Sequence, residues 1–143
     1  MAYDRSDWHY GGDFPADLSP EAGGTHIGMF LAWAITRGLE GEFHRRESLS
    51  ALEAVRNRQT TGREFLTNEC DEKFWEEDLS DEGNAFAKSY YQKEGAGGYL
   101  ADYAEILGNG LPSLYHVADS WSTFDRLVPV LDQRYADWKR RHS

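Results

Sequence analysis

A mainly α-helical single domain over residues 1–143, with about five to six helices around one central apolar helix and an irregular N-terminal segment, is the fold this sequence predicts. Three observations predict it. The stretch Ile27–Ile35 is nearly all apolar, apolar residues elsewhere recur at three- and four-residue spacing, and the polar/apolar alternation of strands is scarce enough to leave room for a small hairpin at most. At 143 residues the chain has the commonest single-domain size and can bury a proper core. Hydrophobic residues at 40% and aromatics at 14% are too many for disorder, so the polar character belongs to a charged surface around an aromatic core.

Residues 1–25 read as irregular, punctuated by Gly11-Gly12, Pro15, Pro20 and Gly23-Gly24. They are still expected to be ordered, because Trp8, Tyr10 and Phe14 carry too much apolar area to leave in water. The first helix begins after Thr25 and stops at Gly38, a residue suited to a left-handed cap; being apolar on nearly every face, it must be surrounded by other helices. A second helix is expected from about Arg46 to Arg58 on the spacing of Leu49, Leu52 and Val55 or Arg56, with a basic outer face. Thr61-Gly62-Arg63-Glu64 has the spacing of a capping box and opens a third helix carrying Phe65, Leu66 and Cys70.

Phe74, Trp75 and Leu79 follow among acidic residues. Ser80 or Asp81 caps a fourth helix through Phe86, Tyr90 and Tyr91, broken at Gly95-Ala96-Gly97-Gly98. A fifth runs from about Tyr99 to Leu107. The last starts near Ser122 and puts Phe124, Leu127 or Val128, Leu131, Tyr135 and Trp138 on one stripe, with Pro129 expected to bend or divide it.

The formal net charge is −10, and residues 69–105 hold eleven acids against three lysines, a balance of −8. A field of that sign repels phosphate backbones, so nucleic acid is not expected as a partner, whereas a basic protein surface is attracted. The apolar run is far shorter than the roughly 20 residues of a membrane span, so no membrane partner is expected either. One cysteine, Cys70, and the lack of a basic-then-apolar leader point to a cytoplasmic location.

Chemistry-bearing constellations are sparse. His9, His26, His116 and His142 with Asp13, Asp71 and Asp119 offer metal-binding atoms, but no pair has the i, i+4 two-histidine spacing of a zinc enzyme; neither metal nor cofactor is expected. His116 and Asp119 would lie one turn apart on a helix, an arrangement that orients an imidazole as a base or simply fixes the chain before Trp121. Cys70 falls at the apolar phase of its helix and reads as a small hydrophobe rather than a thiolate. The glycine clusters lack the lysine and hydroxyl of a phosphate loop, so nucleotide binding is not expected. His26 sits in the first turn of the central helix, where the dipole favours neutral imidazole; with Asp13 it is expected to pin the opening loop, or with His9, Tyr10 and Asp13 to line a small pocket.

The segments Trp8-His9-Tyr10-Gly11-Gly12-Asp13-Phe14-Pro15, Thr25-His26-Ile27-Gly28-Met29-Phe30-Leu31-Ala32-Trp33, Cys70-Asp71-Glu72-Lys73-Phe74, Gly83-Asn84-Ala85-Phe86 and Leu111-Pro112-Ser113-Leu114-Tyr115-His116-Val117-Ala118-Asp119 resemble a family of small, acidic, uncharacterised bacterial proteins. The likeness covers almost the whole chain and brings no catalytic residues with it. In size, acidity and lack of a catalytic signature the chain also resembles the immunity proteins that neutralise toxins used between competing bacteria.

Two functional expectations follow. The first is a non-enzymatic protein-binding module of the immunity type, blocking a toxin's basic surface with an acidic face made of Trp75, Glu76, Glu77, Asp78, Asp81, Glu82, Tyr90 and Tyr91. The second is a small-molecule binder or enzyme that uses His9, Asp13, His26, His116 and Asp119, with Tyr10 lining the same pocket.

Overall fold

A computed structural model describes residues 2–10 and 14–142 as a mainly α-helical protein. Strand β1 (Ala2–Arg5) leads into a single turn, α1 (Asp7–Tyr10), and a 3-10 turn at Pro20–Gly24 enters α2 (Thr25–Thr36). Next come α3 (Glu42–Glu47), α4 (Leu49–Arg56) and α5 (Gly62–Glu69), then strand β2 (Lys73–Trp75) and a 3-10 turn at Glu76–Asp78. Helices α6 (Asp81–Ser89) and α7 (Tyr99–Leu107), a 3-10 turn at Leu114–His116 and the long α8 (Trp121–Arg141) complete the described chain.

The expected central helix is α2, buried from Thr25 to Ile35 because it has no polar face to turn outward. Phe30 packs against Phe74, Phe86, Tyr91 and Tyr99, whose ring centroids lie 4.9–6.3 Å away. Trp33 is fully buried, and its indole N–H donates to the Asp132 carboxylate of α8 at 2.9 Å. Arg37 grips the same carboxylate through Nε and Nη2 at 2.8 and 2.6 Å, locking the end of α2 to α8. Gly38, at φ +73, turns the chain away from α2 as its sequence position requires.

Against α5, α2 lies backbone to backbone. A Cβ on Gly62 would fall 1.8 Å from the Gly28 carbonyl oxygen, and one on Gly28 would fall 2.3 Å from the Arg63 nitrogen. Only glycine on both sides permits this approach. The capping box that opens α5 forms as its spacing requires: Thr61 accepts from the Glu64 N–H while the Glu64 side chain accepts from the Thr61 N–H.

Several local expectations change. Residues 1–25 are not irregular throughout, since β1, α1 and a 3-10 turn lie there, and β1 pairs antiparallel with β2 from the far side of the chain rather than in a hairpin. Tyr3 faces Phe74 at 4.9 Å in that pair, an apolar contact that no local pattern announces. Trp8 is 57% exposed instead of packed. Eight α-helices occur among the described residues rather than five to six, partly because the expected helix from Arg46 to Arg58 is broken at Ser48, whose φ of −131° leaves helical space. Helix α6 stops at Ser89, before Tyr90 and Tyr91, and Ser120, not Ser122, caps α8. Pro129 does not divide α8. No helix among the described residues is long and apolar enough to cross a membrane.

Candidate functional site

The histidines singled out in the sequence meet at the start of α2, around a residue that sequence reasoning missed. Asp4, buried on β1, receives His9 Nε2 at 2.7 Å on Oδ1 and His26 Nε2 at 3.1 Å on Oδ2. The Tyr91 hydroxyl donates to Oδ2 at 2.7 Å, and the Arg5 N–H donates to Oδ1 at 2.8 Å. The two imidazoles stand edge to face with centroids 4.5 Å apart, and His9 Nδ1 lies 2.9 Å from the Tyr115 hydroxyl. The Tyr99 hydroxyl donates to the His26 carbonyl. Near His26, the buried Tyr103 hydroxyl has no hydrogen-bond partner among the described residues.

Burial alone would raise the Asp4 carboxyl, but the hydrogen bonds from His26 and His9 outweigh it and hold it well below the usual carboxylate range. Burial pushes the His26 imidazole down, against the upward pull of Asp4. With four donors the Asp4 carboxylate is saturated, and both ring nitrogens of His9 are engaged. Such a network fastens β1 and α1 to the central helix.

The rest of the expected pocket is dispersed or outside view. Asp13 lies outside the described residues, and Tyr10 is half-buried beside Arg5 and Glu72. His116 bonds Ser113 and Asp17 at 2.8 and 2.9 Å, whereas Asp119 accepts from Thr61 at 2.8 Å and pairs with Arg63 at 3.3 Å. The expected His116–Asp119 dyad therefore does not form: the segment between them is extended at Val117, so no helical turn brings them together.

The expected acidic face divides. Trp75, Glu76, Glu77, Asp81 and Glu82 are exposed, but Asp78, Tyr90 and Tyr91 are buried and unavailable to a partner. Tyr91 points at Asp4, Tyr90 donates to Asp102 at 2.6 Å, and Asp78 accepts the Trp75 N–H at 2.7 Å and faces His44 at 2.7 Å. Both tyrosines stand four residues beyond the buried Phe86 and Ala87 and continue the inner side of α6 past its end at Ser89. Glu76 pairs with Lys88, and Glu82 bonds the Tyr135 hydroxyl and faces Lys139 at 3.7 Å. Between α3 and the start of α6 an open groove of about 550 Å³ is lined by Glu42, Phe43, Arg45, Glu76, Glu77 and Asp81 among others. Phe43, 40% exposed, lines it, and Trp75, 36% exposed, directly precedes Glu76 in the chain.

A second cluster joins the buried His44 and Asp78 with the partly buried Cys70, and neither His44 nor its grouping with Cys70 was signalled in the sequence. The three residues come from α3, the C-cap of α5 and the turn after β2, so their spacing follows no helical or strand period. Burial, then the Asp78 carboxylate, pushes the Cys70 thiol far up.

A family model for a domain of unknown function, DUF7832, matches residues 2–117, which takes in both clusters and the groove and stops short of α8. No curated protein matches the chain, and no solved structure does.

Proposed function

The chain belongs to the DUF7832 family, whose description carries no activity, and from its surface we propose that it is a protein-binding module whose acidic groove takes a basic protein partner. One observation carries this reading: a groove walled by Glu42, Glu76, Glu77 and Asp81 has the exposed Phe43 ring within it. Carboxylates steer a basic surface and select against acidic ones, and an aromatic ring supplies the contact area that holds it. The net charge of −10 extends that steering beyond the groove. In the immunity-type form of this reading the partner is a toxin, and the protein acts as a rigid stopper over its basic active or binding surface. The alternative, an enzyme or small-molecule binder built on His9, Asp13, His26, His116 and Asp119, draws support from the meeting of His9 and His26 only.

The test is binding of the full-length chain to the protein encoded beside its gene. Affinity is expected to fall as salt rises, because screening shortens the reach of exposed charges. Glu77→Lys with Asp81→Lys is expected to slow association by about tenfold or more, whereas Phe43→Ala speeds dissociation. A complex whose affinity ignores salt and all three substitutions would sink the proposal.

A further inference from the structure

His44, Cys70 and Asp78 present three different donor atoms to one point. His44 Nε2 and Asp78 Oδ1 are 2.7 Å apart, and Cys70 Sγ lies 3.8 Å from the first and 3.6 Å from the second. We propose that these three side chains form a binding site for a thiophilic divalent metal ion, with zinc the best fit.

Zinc bonds of about 2.3 Å to sulfur and about 2.0–2.1 Å to nitrogen and oxygen put tetrahedral ligand atoms roughly 3.5 Å apart where sulfur is one of them, and roughly 3.3 Å apart otherwise. Both sulfur edges here are close to that span. The nitrogen–oxygen edge is shorter because a hydrogen bond closes it, and a modest opening admits the ion. The outer atoms of two ligands are already held. Ser48 Oγ lies 3.1 Å from His44 Nδ1, and the Trp75 N–H donates to Asp78 Oδ2 at 2.7 Å, which leaves Nε2 and Oδ1 directed at the sulfur. Phe65 packs edge-on to the imidazole at 5.0 Å and gives the site an apolar wall.

The same geometry argues against a Cys-His-Asp catalytic triad. A nucleophile and its orienting carboxylate must occupy opposite ring nitrogens, but here Cys70 and Asp78 share Nε2 and a serine takes Nδ1. Metal binding instead uses all three on one side. The imidazole proton moves to Nδ1 and donates to Ser48 Oγ, Nε2 gives its lone pair to the ion, and Cys70 loses its S–H proton to solvent, so one proton is released per ion. The dication, one thiolate and one carboxylate then cancel in charge, which keeps the buried site neutral. Three protein ligands leave the fourth position to water or to a partner's donor atom.

The Asp4 cluster also groups ligating atoms, but its carboxylate is saturated by four donors, and an ion there would strip the buried Tyr91 hydroxyl of its acceptor. The His44 site has no such cost. Two of its ligands, His44 and Asp78, directly follow the groove residues Phe43 and Glu77 in the chain.

The experiment uses the full chain stripped with a chelator and titrated with Co²⁺, then Zn²⁺. Cobalt is expected to give a thiolate-to-metal charge-transfer band with the visible bands of tetrahedral geometry, and Cys70→Ser is expected to abolish the charge-transfer band while far-ultraviolet circular dichroism stays unchanged. In the unaltered chain, which needs no substitution to fold, zinc is expected to slow alkylation of Cys70 by about tenfold or more and the chelator to restore it. Ser48→Ala is expected to weaken zinc about 10–100-fold through the lost hold on His44. Absence of the charge-transfer band, its survival in Cys70→Ser, or alkylation indifferent to saturating zinc would each overturn the site; so would metal binding that is lost in His9→Gln and kept in Cys70→Ser.

Discussion

Replacing Gly62 with alanine isolates the closest contact in the fold. In a solvated helix the change would stabilise by up to about 1 kcal/mol, since alanine is the better helix former. Here the added Cβ would lie 1.8 Å from the Gly28 carbonyl oxygen and 2.9 Å from the Ala32 Cβ. Carbon–oxygen contacts settle near 3.3 Å, so α2 and α5 must part by roughly 1.5 Å, and no rotamer can relieve a clash with backbone. That displacement loosens Ile27, Leu31, Phe65 and Leu66, all essentially fully buried, and a gap of even 0.5–1 Å already forfeits about a quarter to a half of the dispersion energy of the atoms lining it. Overpacking of this kind costs about 3 kcal/mol, which leaves a net loss of about 2–3 kcal/mol after the helix gain and, at about 3 °C per kcal/mol for a chain of this size, a fall in Tm of about 6–9 °C. Gly38→Ala is the control: its φ is +73° with nothing within 4 Å, so it introduces only backbone strain and costs about 1 kcal/mol of stability. The pair Gly28→Ala, Gly62→Ala should cost less than the sum of the singles, because helices already parted accept the second methyl more easily. Thermal and urea unfolding followed by circular dichroism measure all four. A Gly62→Ala melt at or above the parent, or below it by no more than Gly38→Ala, would refute the close-crossing argument.

Trp33→Ala removes a fully buried indole and one donor to Asp132, and is expected to cost about 3–5 kcal/mol; an unchanged urea midpoint would contradict the burial of α2. Thr61→Ala breaks the capping box and the hydrogen bond to Asp119, with an expected loss of about 1–2 kcal/mol, read from the same curves. The Asp4 network sets the acid limb. Asp4 is held below its unfolded value, so its contribution is whole above pH about 3.9 and is lost as pH falls through the folded value, whereas His26, lowered by burial, makes stability rise with pH up to about 6.5. Urea midpoints should climb with pH in the parent, and the climb below pH about 3.9 should be smaller in Asp4→Asn, whereas the His26 climb above it persists because the upward pull of Asp4 on the imidazole is gone; a parent midpoint independent of pH would refute both directions.

Much of the helical framework was legible because helix signals are local. The Thr61–Glu64 capping box, the span Tyr99–Leu107 and the apolar block after Thr25 each lie within a few consecutive residues, and each forms where its spacing places it. The sites were less legible. His9 and His26 do come together, on Asp4, which sits on a four-residue strand too short to show alternation, while Asp13 lies outside the described residues. Tyr90 and Tyr91 were assigned outward although each follows a buried residue, Phe86 or Ala87, by four positions, the spacing that shares a helix face, and both are buried.

Composition and periodicity by themselves determined that the chain is helical, acidic and built on one apolar helix, because burial of that helix is demanded by its own residues whatever surrounds it. Which side chains meet was decided only by tertiary structure. The pairing of β1 with β2, the saturation of Asp4, and the convergence of His44, Cys70 and Asp78 join residues from separate elements. Such contacts are selected by the packing of the whole core, whose glycine crossing at Gly28 and Gly62 sets how closely α2 and α5 approach, and a local pattern has no term for that distance.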